Sequence, residues 1–319
     1  MAKDKVACLN DGWIYRNLVP PEAAGLTVLQ FYTSRYGHST ESEWRCRLEN
    51  GQVQVDQRIA TPAMTLAPGQ VLCYHRRPWH EPDVPDHITV LHDDPFLLAV
   101  DKPSGLPTMP GGNYLHNTLL HRVRARYGQD LAPLHRLGRA TSGVVVFARC
   151  VTARRALSAD MRQGRIRRLY RGLVDGADIP PVMTIDVPVG LVDYPPLGKL
   201  HAATAHQGKC ALSLILLLER RHKEDRALVQ VELVTGRSHQ IRIHLAAAGH
   251  PLSGDPLYGV GGRPRTHVAG AEPALPGHGG FHLHAERVEL QHPGTHQRLV
   301  LVAPPPPLLR RMDEAKDHG

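Results

Sequence analysis

Hydrophobic positions along the chain change period several times, and each change marks an element. From Thr27 to Tyr36 apolar side chains recur at helical spacing, and Ser39-Thr40-Glu41-Ser42-Glu43 opens a second helix. Thr40 and Glu43 have the spacing of a capping box, in which each side chain satisfies a free backbone donor at the helix start. That helix runs through Trp44 and Leu48 to the stop signal Asn50-Gly51. Alternating Val53 and Val55, then Val71-Leu72-Cys73-Tyr74 behind Pro68-Gly69, predict short strands.

A proline-rich stretch, Arg77-Pro78-Trp79-His80-Glu81-Pro82-Asp83-Val84-Pro85, stiffens the chain and removes backbone donors, which marks a boundary. The expected partition is an N-terminal extension at 1–25, a small module at 26–77, a linker at 78–87, a large domain at 88–303 and a C-terminal tail at 304–319. In the large domain, strand patterns at Ile88 to Leu91 and Phe96 to Val100 lead into the turn-rich Asp101-Lys102-Pro103-Ser104-Gly105-Leu106-Pro107. A strand at Val144 to Ala148, a helix at Thr152 to Gln163 and a strand at Ile166 to Val174 follow. A strand near Leu228 to Val234 then enters a helix expected from about Arg237 to Gly249, a favourable stop. Strands and helices mix without a regular βαβ repeat, so the expected class is α+β.

Composition narrows the partners. The chain of 319 residues carries 38 Lys plus Arg against 30 Asp plus Glu, a net charge of +8, which favours a polyanion such as nucleic acid. Seven arginines fall between positions 154 and 171: Arg154, Arg155, Arg162, Arg165, Arg167, Arg168 and Arg171, with Asp160 the one acid among them. On the expected elements Arg154, Arg155 and Arg162 share a helix side, while Arg165, Arg167 and Arg171 share a strand face, a pattern suited to phosphates.

Cys8, Cys46, Cys73, Cys150 and Cys210 are scattered and form no C-x-x-C pair, which argues against a disulfide scaffold or zinc ribbon. Among 21 histidines, His278, His282 and His284 come closest to a metal-binding run. They lack ligand spacing, and His282 and His284 alternate with Phe281 and Leu283 as strand residues do, so no metal is expected. The longest apolar run, Ala211 to Leu218, is too short to span a bilayer, and the start of the chain, Met1 to Cys8, has no long apolar region. A cytoplasmic protein with no membrane partner and no cofactor is expected, with a monomer as the default.

Three ordered segments carry the chemistry. The first is Pro133-Leu134-His135-Arg136-Leu137-Gly138-Arg139-Ala140-Thr141-Ser142-Gly143, and the second Arg165-Ile166-Arg167-Arg168-Leu169-Tyr170-Arg171-Gly172. The third is Thr235-Gly236-Arg237-Ser238-His239-Gln240-Ile241-Arg242-Ile243-His244-Leu245, continuing to Gly254-Asp255-Pro256-Leu257-Tyr258-Gly259. In this order they resemble the RluA-type pseudouridine synthases, which isomerise uridine in ribosomal or transfer RNA, over about residues 88 to 300. Residues 26–77 resemble the S4 RNA-binding module, where Arg35, Arg45, Arg47 and Arg58 are candidates to meet phosphates.

The resemblance implies a mixed, mainly antiparallel catalytic domain behind a small S4-like α/β module. It implies an aromatic under the base at Tyr170 and an arginine for the catalytic carboxylate at Arg242, with Arg136 entering the RNA where the target leaves its stack. Arg139, Arg154, Arg155, Arg162, Arg165, Arg167 and Arg237 are the remaining candidate RNA contacts. The family reads His-Arg-Leu-Asp where this chain reads His135-Arg136-Leu137-Gly138. Glycine can neither attack C1′ nor take a proton from C2′. Two functions are therefore expected to compete: a uridine isomerase with a relocated acid or substrate assistance, and a catalytically silent RNA-binding protein. Arg242 also loses its expected partner. Asp130 and Asp255 are the candidate replacements, and the preferred expectation is an open pocket in which water or RNA phosphate answers the guanidinium.

Overall fold

The computed structural model describes residues 9–266 and 272–314, so Cys8 and the start of the chain lie outside it, as do the last five residues of the expected tail. Two compact units form, one up to Pro82 together with Asp193–Lys199, the other from Asp83–Val192 and from Leu200 onward.

The first unit contains β1 (Trp13–Leu18), α1 (Val28–Arg35), α2 (Glu41–Glu49), β2 (Val53–Val55), β3 (Arg58–Ile59) and β4 (Val71–Arg76). Both helices start on capping boxes, Thr27 with Gln30 and Thr40 with Glu43. Their apolar faces bury Phe31, Tyr32, Trp44 and Leu48 against Val53, Val55 and Leu72. The strands lie in the order β1-β4-β2-β3. Strand β1, inside the stretch expected as an N-terminal extension at 1–25, pairs antiparallel with β4 along its whole length.

The second unit begins with β5 (Thr89–Asp93), β6 (Leu97–Lys102), α3 (Leu119–Tyr127), β7 (Ala132–Pro133), β8 (Ser142–Ala148) and α4 (Val151–Arg162). It continues with β9 (Arg167–Asp175), β10 (Val182–Ile185), β11 (Val189–Tyr194) and β12 (Gly198–Ala203), apart from their Asp193–Lys199 ends, then β13 (Ser213–Arg221) and β14 (Arg226–Leu233). Helix α5 (Gln240–Ala247), β15 (Tyr258–Gly259), β16 (Arg263–Pro264), β17 (Leu283–Gln291) and β18 (Arg298–Val302) complete it. Its large sheet runs β10-β13-β14-β9-β17-β8-β6-β5, with β18 beside β17 and β7 beside β8. The pairings are antiparallel except β17 with β8, so the fold is mixed α+β with a mainly antiparallel sheet.

Central strands β6 and β8 are apolar on both faces, and Leu97, Leu98, Val100, Val144, Val145, Val146 and Phe147 are wholly buried. Removing each such side chain from water contributes roughly 1.5–3 kcal/mol. Gly143 is required where β8 meets β17: its φ is +110°, and a Cβ there would lie 2.2 Å from the Ala285 carbonyl oxygen. Past β18 the chain packs back on the sheet, burying Leu309 against Leu173 and Leu228, so the tail expected from residue 304 is partly built into the domain.

The third motif folds differently from its sequence pattern. Helix α5 starts at Gln240 rather than near Arg237, because His239 has a left-handed backbone with φ of +56°. Gln240 fixes the preceding loop: its Oε1 accepts from the Arg237 backbone N–H at 2.9 Å and from Thr235 Oγ1 at 2.8 Å, while its Nε2 donates to Leu212 O and Ser213 Oγ.

Candidate functional site

A groove of about 1060 Å³ opens between the β7–β8 loop, the end of α4, the face of β9 and the β14–α5 loop. An inner cavity of about 110 Å³ adjoins it, sharing Arg136, Gly138, Tyr170 and His239 as lining residues. The three sequence motifs therefore meet in one place.

The β7–β8 loop is held from below by the Lys102–Thr108 segment. Lys102 is fully buried, and its Nζ donates to the carbonyls of Pro103 at 2.8 Å, Leu106 at 2.7 Å and Arg139 at 3.3 Å. Burial lowers the Lys102 pKa to about 7, while the neighbouring Asp101 acts the other way. Ser104 Oγ donates to Ala140 O, and Thr108 Oγ1 both donates to Leu137 O and accepts from Leu137 N–H. These bonds fix the backbone that carries Arg136 and Gly138.

Gly138 is exposed on this loop, and its carbonyl accepts from Thr141 N–H at 3.0 Å. A Cβ at this position would meet only Thr141 Oγ1, at an ordinary 3.7 Å. The backbone therefore has room for a side chain. No Asp or Glu among the described residues lines the groove or the inner cavity.

Arg242 lines the inner cavity, and its surroundings overturn the expectation of an open pocket. Its Nε and one terminal nitrogen each donate to Asp255 at 2.6 Å, and the other terminal nitrogen donates to Pro276 O at 3.0 Å. Both side chains are buried, at 4% and 1% exposure. The guanidinium also lies over the rings of Phe281 at 4.3 Å and Tyr258 at 5.0 Å. Asp255 additionally accepts from the backbone N–H groups of Leu257 and Tyr258. Such a closed set offsets the cost of burying the charges, so neither water nor RNA phosphate is needed. Asp255 balances Arg242 without lining the groove. Asp130 is exposed in the turn before β7 and lines neither cavity.

Tyr170 lines both cavities at 6% exposure, and burial pushes its hydroxyl pKa up. Arg136 lines both and makes no ion pair or side-chain hydrogen bond among the described residues. Arg162 and Arg237 line the groove, Arg237 donating through Nε to Cys210 O. Arg139 lines it with its head already engaged by Gly277 O and the Tyr114 hydroxyl. Arg154 and Arg155 are exposed on α4 outside the groove lining.

The expected arginine face on β9 is corrected. Arg165 precedes the strand and is bound to Asp160, and Arg167 pairs with Glu232 at 2.7 Å. Arg171 is buried, joined to Glu286 at 2.7 Å and Glu314 at 2.6 Å. The groove instead receives Arg168, at 9% exposure, with one terminal nitrogen bonded to the carbonyls of Leu233 and Thr235. Strand alternation carries the signal: Arg168 and Tyr170 are two apart and share a face.

Sequence reasoning also missed His239, which lines both cavities. Burial and then the Arg242 charge lower its pKa to about 4. His135, which also lines the groove, is likewise held at about 4, by burial and Arg168, and accepts from the Val146 N–H at 3.4 Å.

Among the described residues one histidine–carboxylate group has donor atoms within metal-ligand reach, His92, Asp94 and His292. His292 Nδ1 accepts from the backbone N–H groups of Gly294 and Thr295, so its proton sits on Nε2 and is donated to Asp94 at 2.7 Å. That ring is used as a hydrogen-bond staple. His284 is similarly engaged through both nitrogens, with Ser142 and with Ala303 O.

The model of the family described as RNA pseudouridylate synthase matches residues 97–247. An RNA pseudouridine synthase of Synechocystis, described as uncharacterized, is 43% identical over 283 residues, covering 88% of this chain and 95% of that protein. The chain belongs to the RluA-type RNA pseudouridine synthases. RNA pseudouridine synthase 5 of Arabidopsis thaliana is 36% identical, covering 95% of each chain, and ribosomal large subunit pseudouridine synthase D of Xanthomonas campestris is 32% identical, covering 96% of this chain and 93% of its own. The solved structure of human RNA pseudouridylate synthase domain containing 1 shares the fold, with a TM-score of 0.55 at 22% identity, over 74% of this chain and 96% of that one. No helix among the described residues of this pseudouridine synthase is long and apolar enough to cross a membrane.

Proposed function

We propose that the protein isomerises uridine to pseudouridine in ribosomal or transfer RNA, with the target base lifted into the cavity beside Tyr170. The observation that carries this reading is the convergence of Arg136, Arg168 and Tyr170 on one groove, with Arg242, held by Asp255, lining the adjoining cavity. Arg136 and Arg162, which pair with no acid among the described residues, can meet phosphates there, offsetting the few kcal/mol, roughly, that unstacking a base costs. Residues 26–77 act as an S4-like RNA-binding module ahead of the synthase domain at 88–303. A cytoplasmic monomer that works without cofactor or metal completes the proposal.

A second reading, a silent RNA-binding protein using the same groove, is favoured by one observation: no carboxylate among the described residues lines it. Purified wild type beside Gly138→Asp, incubated with uridine-containing ribosomal and transfer RNAs and assayed for pseudouridine, separates the two. Product from wild type supports the isomerase. Product only from Gly138→Asp, whose new side chain has room, supports the silent scaffold.

A further inference from the structure

We infer that His239 removes the C2′ proton of the target ribose, the task that position 138 leaves without a carboxylate; this role rests on the isomerase reading above. Geometry fixes the ring's protonation. His239 Nδ1 lies 2.8 Å from the Tyr258 hydroxyl, and that hydroxyl lies 2.7 Å from the His201 carbonyl oxygen. A carbonyl only accepts, so the single hydroxyl proton goes to His201, and Nδ1 must donate its own to Tyr258. The remaining nitrogen, Nε2, carries a lone pair and has no hydrogen-bond partner among the described residues.

The ring lines both the groove and the inner cavity, with Gly138, Tyr170 and Arg136 on the same walls. Its backbone is left-handed, an arrangement few side chains adopt and one that persists where the surroundings over-determine it. Arg242, His201, Asp255 and Arg136 are the ionisable groups that act on it. Burial, then Arg242, His201 and Arg136, outweigh Asp255 and bring its basicity to about 4, close to that of an ordinary aspartate at about 3.9, which keeps it neutral near pH 7.

The chemistry balances without a metal or redox partner. As the C1′–N1 bond breaks, its electron pair leaves with the uracil, and C1′ becomes electron-deficient. Nε2 takes a proton from C2′, and the C–H pair becomes a C1′=C2′ double bond. After the base turns, C5 attacks C1′ while the imidazolium returns its proton to C2′. The C5 proton is then lost to water, and N1 gains one from water.

The test uses RNA carrying tritium at uracil C5, which is released on each turnover. His239→Asn suits the left-handed backbone and removes the base. It is expected to bind RNA as wild type does and to lose about 100-fold or more in kcat, the scale of a general base. Two rescues would show that the loss is chemical: imidazole added to His239→Gly, and Gly138→Asp combined with His239→Asn. His239→Asn turning over within tenfold of wild type overturns the role while leaving the isomerase reading intact. A loss that neither rescue relieves also overturns it. A wild type without turnover removes the isomerase reading, and this role with it.

Discussion

Two groups of arginines in the synthase domain are put to opposite uses. Arg242 and Arg171 are buried and held by carboxylates, Arg242 by Asp255 and Arg171 by Glu286 and Glu314. Arg136 and Arg162 line the groove and face no acid among the described residues. Burial makes the difference: a desolvated guanidinium must be paired, whereas an exposed one stays hydrated until a phosphate arrives. Partner status, more than arginine density, separates charges that hold the fold from charges that meet RNA.

The sharpest way to break this division is to remove a buried partner. Asp255→Asn would leave the Arg242 charge uncompensated, and losing one member of a buried pair costs about 3–5 kcal/mol. Denaturant unfolding should show the midpoint falling accordingly. A variant as stable as wild type would mean that Arg242 does not depend on its carboxylate.

A smaller effect comes from acid. His135 and His239 have folded pKa values of about 4, below their ordinary 6.5, because burial penalises the imidazolium and arginines repel it. The unfolded chain binds more protons between pH 4 and 6.5, so the stability they contribute is full above pH 6.5 and is lost as pH falls through 4. Melting temperature should therefore drop between pH 7.5 and pH 5, and less in His239→Asn. An identical pH dependence in the two proteins would show that His239 is not kept neutral by the fold.

What the sequence could reveal follows the reach of each signal. Capping boxes reach three residues along the chain, so the start of α2 is legible from Thr40 and Glu43, and α1 opens on the same device at Thr27 and Gln30. Strand alternation is equally local, and it places Arg168 beside Tyr170. β1 escaped because Trp13 to Leu18 is exposed throughout and shows no alternation. The Arg171–Glu314 pair spans 143 residues, a proximity that only the packed sheet creates. Asp255 was one of two candidates for Arg242, but choosing it over Asp130 required knowing which loop folds behind the cavity.

On the open side, Arg136→Ala with Arg162→Ala should leave the melting temperature within about a degree, since exposed charges contribute little to stability. RNA binding should weaken, and the slope of log affinity against log salt should fall by about 1 for each phosphate that no longer meets an arginine. An unchanged slope would remove these two residues from the RNA surface.

The smallest effect tests the division within a single pair. Arg165 is half-exposed and bound to Asp160, so its charge is already met inside the protein. Arg165→Ala should then weaken RNA binding less than Arg162→Ala, even though the two arginines are three residues apart. Asp160→Asn should act in the opposite sense by releasing Arg165 to a phosphate. An exposed ion pair is worth at most about 1 kcal/mol, so the gain in affinity at low salt should not exceed about fivefold. Measured at low salt, equal losses from Arg165→Ala and Arg162→Ala would show that an acid at hydrogen-bond distance does not withdraw an exposed arginine from RNA. The boundary between the two groups would then lie at burial alone.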